Sequence, residues 1–369
     1  IGSNAFNSCY GLVEILNKSN LTISPIGTIG EVITDASQSK LTTINGNVYK
    51  DYNGERYFVK NIDGSKQITI DNSATQIDSH ALFYREDIIS LTIPSSITGI
   101  STNIITGCDA LSSVVVNSGN SVYHSYGNCI IETASGTLLA GCNNSTIPSD
   151  GSVTRIGDDA FYRCRELTGI SIPECVTYIG YRAFYECESI TTVTIPQELT
   201  YIGNYAFYGC DSLTTINFHA TNLGNLSQNN YVFYDAGGYI TINISANVTR
   251  IPGYMFAPYS SFLLIRRDPN IRYVNFESGS VCTEIGSYAF YYCDDIVNIT
   301  LPASLNRIGR YAFGNCDDLS SVTFENTNSW WVSTNSTATS GTSVTLTDSA
   351  QNATYLTDTY DNYYWNRNE

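Results

Sequence analysis

The stretch IGYRAFYEC, Ile179 to Cys187, returns as IGDDAFYRC from Ile156, IGNYAFYGC from Ile202, IGSYAFYYC from Ile285 and IGRYAFGNC from Ile308. The chain itself opens on IGSNAFNSC. The steps Ile77 to Ile100, Ile156 to Ile179, Ile179 to Ile202 and Ile285 to Ile308 are each 23 residues. A fixed period of that size marks a solenoid, because no single unit can bury its own apolar face and stacked neighbours share one core.

With the first Ile of each unit as position 0, Ala falls at 4 and Phe at 5, as in Ala183 with Phe184 and Ala206 with Phe207. Cys falls at 8, Leu or Ile at 11, and branched residues at 14 and 16, as in Val193 with Ile195. Pro follows at 17 in Pro94, Pro173, Pro196 and Pro302. The alternation at 14 and 16 has period two, so it predicts a short strand with one buried face. Proline at 17 stops that strand, since it has no N–H to donate. Positions 2 to 8 turn Ala, Phe and Cys inward across about one helical turn, which predicts a short helix or 3-10 turn behind the strand. Looser units fit the same ruler: Phe233, Ile242, Ile244 and Val248 counted from 228, and Phe256, Phe262 and Ile265 counted from Ile251.

The pattern L-x-x-I-x-I at this period is that of leucine-rich repeats. The wording IGxxAFYxCxxLTxxxIPxxVTxIG resembles the BspA-like leucine-rich repeat proteins, over most of residues 77 to 325 and the partial first unit. The fold expected is therefore a right-handed leucine-rich repeat solenoid, an α/β repeat with a parallel sheet on its concave face. The excursion NCIIETASGTLLAGCNNSTIP, Asn128 to Pro148, looks like a hairpin insert of that family. The resemblance implies a cell-surface or secreted protein, extracellular in location, that adheres to host proteins or other cells. Its implied partner is a host or cell-surface protein, such as one of the extracellular matrix, or a glycan. A structural spacer that projects another domain is the alternative.

Composition sets bounds on function. Net charge is -16, so neither nucleic acid nor an anionic membrane is an expected partner. No apolar run reaches the length of a transmembrane helix. The chain opens inside a repeat, so it is expected to continue upstream. Four segments are expected: a partial repeat over 1–30, a β-hairpin insert over 31–76, the solenoid over 77–325 with its excursion at 117–150, and a Ser/Thr/Asn-rich cap or tail over 326–369. Asn53-Gly54 between alternating apolar residues signals a type I′ hairpin inside the insert. Trp330, Trp331 and Trp365 around a polar run favour a cap over a flexible stalk.

The candidate chemistry is sparse. Cys9, Cys108, Cys164, Cys187, Cys210, Cys293 and Cys316 share position 8. Stacked units put neighbouring thiols near disulfide range, yet each has similar neighbours above and below. A buried, reduced packing ladder is the reading adopted, with disulfides or a redox or metal role as the alternatives. A disulfide between Cys129 and Cys142, which flank the hairpin excursion, is a further alternative. His80, His124 and His219 are far apart and fit no metal spacing, and no nucleophile–base motif is present, so no catalytic residue, metal or cofactor is assigned. Asp109, Glu188, Asp211, Asp294 and Asp317 form an acidic rim at position 9, either a solvated edge or a Ca²⁺ or basic-partner site.

Two surfaces are candidates for a partner. Outward strand positions include Thr192, Thr194, Thr215, Asn217, Asn298 and Thr300, a flat, nearly uncharged face without Trp or Arg anchors. Tyrosine rows at positions 3 and 6, among them Tyr162, Tyr185, Tyr208 and Tyr291, either bind a partner or cover the edge of the core.

Overall fold

The computed structural model describes Leu12, residues 14–18, 31–257 and 270–367. Cys9, Phe262 and Ile265 lie outside them. The chain divides into two compact units, Ile1–Thr146 with Asp159–Cys164, and Ile147–Asp158 with Arg165–Glu369. Both are built from leucine-rich repeat rungs.

The second unit shows the rung most plainly. Strands Thr192–Ile195, Thr215–Phe218, Ile240–Ile244 and Ile271–Phe276 pair in parallel, with Val193, Ile216, Ile242 and Val274 in register. Alternation buries the apolar set and leaves Thr and Asn outward, as the period-two pattern requires. A second row of two-residue strands lies at positions −1 and 0: Arg155–Ile156, Tyr178–Ile179 and Tyr201–Ile202 pair in parallel. Arg250–Ile251, Glu284–Ile285 and Arg307–Ile308 do the same further along. Most of these rungs therefore contribute two strands where the apolar pattern predicts one, whereas the rung from Ile156 forms none at its expected slot, Ile170 and Ile172.

The segment behind the strand is not helical. Positions 3 and 7 both take positive φ: Tyr205 at 61° with Gly209 at 65°, Arg182 at 51° with Glu186 at 51°, Tyr288 at 59° with Tyr292 at 63°. Two left-handed residues four apart cannot continue a right-handed helix. Alternate N–H groups bond sideways instead, and those between donate three residues back within the turn. Arg182, Phe184 and Glu186 donate to the carbonyls of Asn204, Ala206 and Tyr208 on the next rung, at 3.0, 2.8 and 2.7 Å. The short helical or 3-10 turn expected from the sequence is thus a third rung-to-rung ladder. An inward Ala-Phe-Cys spacing does not distinguish the two, because it reports burial and not the direction of the amides.

Glycine at position 1 is explained by the same stacking. A Cβ on Gly203 would stand 2.4 Å from the backbone nitrogen of Tyr181, and one on Gly309 would stand 2.3 Å from that of Ser287. No side chain fits where two rungs approach so closely. The phenylalanines at position 5 stack down this unit, from Phe184 to Phe207 at 5.0 Å, Phe207 to Phe233 at 5.5 Å and Phe290 to Phe313 at 5.3 Å.

One rung departs furthest from the ruler. The step from Ile251 to Ile285 is 34 residues. Position 14 counted from Ile251 is Ile265, but Val274 and Phe276 stand opposite Ile242 and Ile244. The insertion shifts the slot nine residues on, which a fixed period cannot anticipate.

At its C-terminal end this unit is closed. Strand Tyr364–Arg367 pairs antiparallel with Arg307–Ile308 and with Trp330–Ser333. Trp330 and Trp365 are buried against Phe324, and their indole N–H groups donate to Asn326 and Tyr360 carbonyls. Helix Ser349–Thr354 starts on an Asp348 cap, and Asn352 donates to the Val322 carbonyl at 3.0 Å. The last rung's open edge is thereby paired and covered.

In the first unit, Leu41–Ile44, Asn47–Tyr52 and Glu55–Asn61 form an antiparallel meander. Asn53 and Gly54 join the last two with φ of 52° and 83°, the two positive values a type I′ turn demands. Tyr57 and Phe58 then pair in parallel with Gln76 and Ile77, so one strand of the meander serves also as a rung strand. Gln67–Thr69, Ser90–Ile93 and Ser113–Val116 make the parallel row. The excursion is a second meander, Tyr123–Tyr126, Cys129–Glu132 and Thr137–Ala140. Lys50 is fully buried and its Nζ lies 3.3 Å from Glu31.

Candidate partner-binding face

The outward side chains of the second unit's parallel row form a chain of hydrogen bonds. Asn217 Nδ2 donates to Thr194 Oγ1 at 3.3 Å, Asn243 to Asn217 Oδ1 at 3.1 Å, and Asn275 to Asn243 Oδ1 at 3.2 Å. Stacked strands repeat every ~4.8 Å, which suits one amide spanning to the next. Thr192 and Thr215 are register partners at the start of the same strands. Asn298 and Thr300 are exposed on a separate pair, Asn298–Leu301 with Ser321–Phe324. The structure thus joins Thr194 and Asn217 into one row and places Asn298 and Thr300 beyond its end. Asn243 stood at position 15 on the 23-residue ruler and was readable there. Asn275 was not, because the insertion after Ile251 moves it off the ruler.

The tyrosines occupy the turns, with the core of Phe184, Val193 and Ile195 between them and the strand face. Tyr185 stacks on Tyr208 at 4.7 Å with 3° between planes, Tyr205 on Tyr231 at 4.8 Å, and Tyr254 on Tyr288 at 4.7 Å. Tyr291 meets Tyr288 edge-on at 5.1 Å, and burial raises its hydroxyl's pKa. Tyr162 is half-buried beside the Arg163 guanidinium, 5.7 Å from its ring centre. Ring faces used by neighbouring rings are not offered to a ligand, so these rows present edges and hydroxyls.

The thiols at position 8 have a geometry of their own. In the second unit Cys210 donates to the Phe184 carbonyl at 3.4 Å, Cys293 to Phe256 at 3.4 Å and Cys316 to Phe290 at 3.1 Å. In the first unit Cys108 donates to Leu82 at 3.1 Å and Cys164 to Gly141 at 3.6 Å. Cys108, Cys210, Cys293 and Cys316 each reach the position-5 carbonyl of the rung before, while Cys164 reaches Gly141 in the excursion. Burial raises the pKa values of Cys108, Cys164, Cys210 and Cys316, to about 12 for Cys108. Cys129 stands at about 12 for the same reason, and Cys142 is also raised. A thiol so placed is a poor nucleophile. None of the ten described cysteines forms a disulfide.

Among the described residues no three His, Cys, Asp or Glu side chains converge as ligands. Asp211 and Asp317 on the rim are exposed, while Asp109, Glu188 and Asp294 are half-buried. His124 Nδ1 lies 2.9 Å from Thr133 Oγ1, and His219 Nδ1 lies 2.9 Å from Glu174.

The first unit holds a polar cleft of about 810 Å³. Its amides satisfy each other: Asn61 donates to Asn47 Oδ1 at 2.9 Å and Asn47 to the Thr69 carbonyl at 2.8 Å. Asp63 and Asp71 on its wall are held ionised by hydrogen bonds from Ser65 and Ser73, respectively.

A family model described as BspA type leucine-rich repeat region matches residues 1–112, 132–262 and 283–358 in six copies. Among solved structures, a leucine-rich repeat protein from Eubacterium ventriosum is similar over 86% of this chain and 80% of its own, with a TM-score of 0.54 and 21% identity. A leucine-rich cell surface protein from Faecalibacterium prausnitzii aligns over 79% of this chain and 97% of its own, with a TM-score of 0.36 and 19% identity. A search of curated proteins finds no significant match.

Proposed function

Because the chain belongs to the BspA-type leucine-rich repeat family, we propose that it is a non-enzymatic surface or secreted module that adheres to a host protein or to other cells. The observation behind this reading is the row Thr194, Asn217, Asn243 and Asn275 on the strand face. Hydrogen bonds to neighbouring rungs fix these amides before any partner arrives, and rigid polar groups lose little entropy on binding. Thr192 and Thr215 extend the face on one side.

The test is surface plasmon resonance of the chain against immobilised extracellular-matrix and plasma proteins at physiological salt. Binding above a scrambled-repeat control, lost when Thr192 and Thr215 are both changed to Arg, supports the reading. Binding to none of them contradicts it. A spacer role would instead survive replacement of residues 179–218 by unrelated repeats of equal length.

A further inference from the structure

The strand face of the second unit is split. Ile271–Phe276 ends the ladder that begins at Thr192, and Asn298–Leu301 begins another with Ser321–Phe324. The 34-residue step from Ile251 to Ile285 spans the strand at this break. Ile271–Phe276 joins its neighbour with a bulge, since Ile240 and Thr241 face Ile271 and Tyr273 and leave Arg272 over. A bulge bends and twists its strand. The next rung does not pair with it.

A cleft of about 570 Å³ lies at this break, within the range of small-ligand sites. Two aromatic rings line it. Tyr273 is 48% exposed, the highest value among outward-facing strand aromatics in this unit. Phe276 holds a slot filled elsewhere by fully buried Phe218 and Ile244, yet it is only half-buried. Arg272 braces the tyrosines, its guanidinium 4.4 Å from the Tyr239 ring centre and 5.9 Å from that of Tyr273.

The polar lining is arranged around those rings. Asn275 ends the amide row, so its Oδ1 is the row's last acceptor. Asn298 and Thr300 face it from the other strand. Glu277 and Glu325 each spend one oxygen on a backbone amide, from Ala246 and Ala303 at 2.9 Å, and keep the other for a donor.

We infer that this cleft binds a neutral saccharide. A hexose has an apolar C–H face for the outward Tyr273 ring and an edge of hydroxyls that donate and accept, which planar amides and carboxylates match. Other occupants fit less well. Two carboxylates and a net charge of -16 repel phosphates and acidic sugars. An added peptide strand needs about 9.6 Å between its neighbours, two strand spacings. The two strands come within 8 Å, which leaves no room for it. Two carboxylates are too few for a cation, and no metal group assembles among the described residues. The inference goes beyond the adhesion reading and does not depend on it.

The experiment probes the whole chain on an array of neutral and sialylated oligosaccharides. Neutral members bind above background and sialylated counterparts do not. Tyr273→Ala and Thr300→Val each reduce the affinity at least tenfold, with circular dichroism and thermal midpoint unchanged. Tyr181→Ala, an exposed tyrosine elsewhere in the unit, leaves it unaltered. Retention of no neutral glycan, preference for the sialylated forms, or binding that survives both cleft variants would overturn the proposal.

Discussion

Two stretches of the second unit use the same residue types to opposite effect. From Ile179 to Phe218 the rungs keep the 23-residue step, three ladders run unbroken, and Phe184, Cys187, Phe207 and Cys210 are fully buried. From Ile251 to Leu301 the step lengthens, a bulge appears, and Phe276 is left half-buried beside an open strand. Regularity spends each inward group on its neighbours. Interruption leaves aromatic rings and amide acceptors with surface to offer. The recurring residues therefore explain stability, and the departure from recurrence marks the place to look for recognition.

The largest expected contrast is between two phenylalanines. Phe207→Ala removes a fully buried ring from a continuous stack and should cost about 3–5 kcal/mol. Phe276→Ala should cost about 1 kcal/mol, because much of its ring already meets water. Urea unfolding of the two variants measures both, and equal losses would erase the distinction.

The thiols give the next effect. Cys210 and Cys316 have their pKa raised by burial above the ordinary value of 9.0. The unfolded chain ionises first, so the stability these thiols contribute is complete below pH 9 and is lost as pH rises above it. Each should steepen the fall by about 1.4 kcal/mol per pH unit. Urea midpoints between pH 8 and 10.5 should drop more steeply for the native chain than for a Cys210→Ala, Cys316→Ala double variant.

At neutral pH, Cys210→Ala itself should cost about 1.5 kcal/mol, since it empties a fully buried slot and removes one of the two donors to the Phe184 carbonyl, the Cys187 N–H remaining. Rapid modification of Cys210 by a thiol reagent in the native protein would contradict this placement. The smallest effect belongs to the outward row. Asn243→Ala should lower stability by less than about 1 kcal/mol, because its bonds lie at the half-exposed surface.

Much of the fold was legible in IGYRAFYEC and its copies. The slots at 5, 8, 14 and 16 are apolar because they are buried, and burial is what hydrophobic periodicity reports. Two things were hidden. Positions −1 and 0 carry Tyr178-Ile179 or Arg307-Ile308, too short a stretch to show period two, so the second strand row left no pattern. The turns looked helical because Ala, Phe and Cys face inward, whereas the left-handed Tyr205 and Glu186 declare themselves only in the backbone. Of the candidate face, Thr192, Thr194, Thr215 and Asn217 followed from alternation. Tyr273 and Asn275 did not, because an insertion breaks the count that would have placed them.

Amide hydrogen exchange tests the split face most directly. Thr215–Phe218 has a paired strand on each side, whereas Asn298–Leu301 has one only on the side of Ser321–Phe324. The amides of Asn298–Leu301 that point to the cleft should exchange much faster than any in Thr215–Phe218. Equal, strong protection across both strands would mean that the ladder is continuous and the cleft closed.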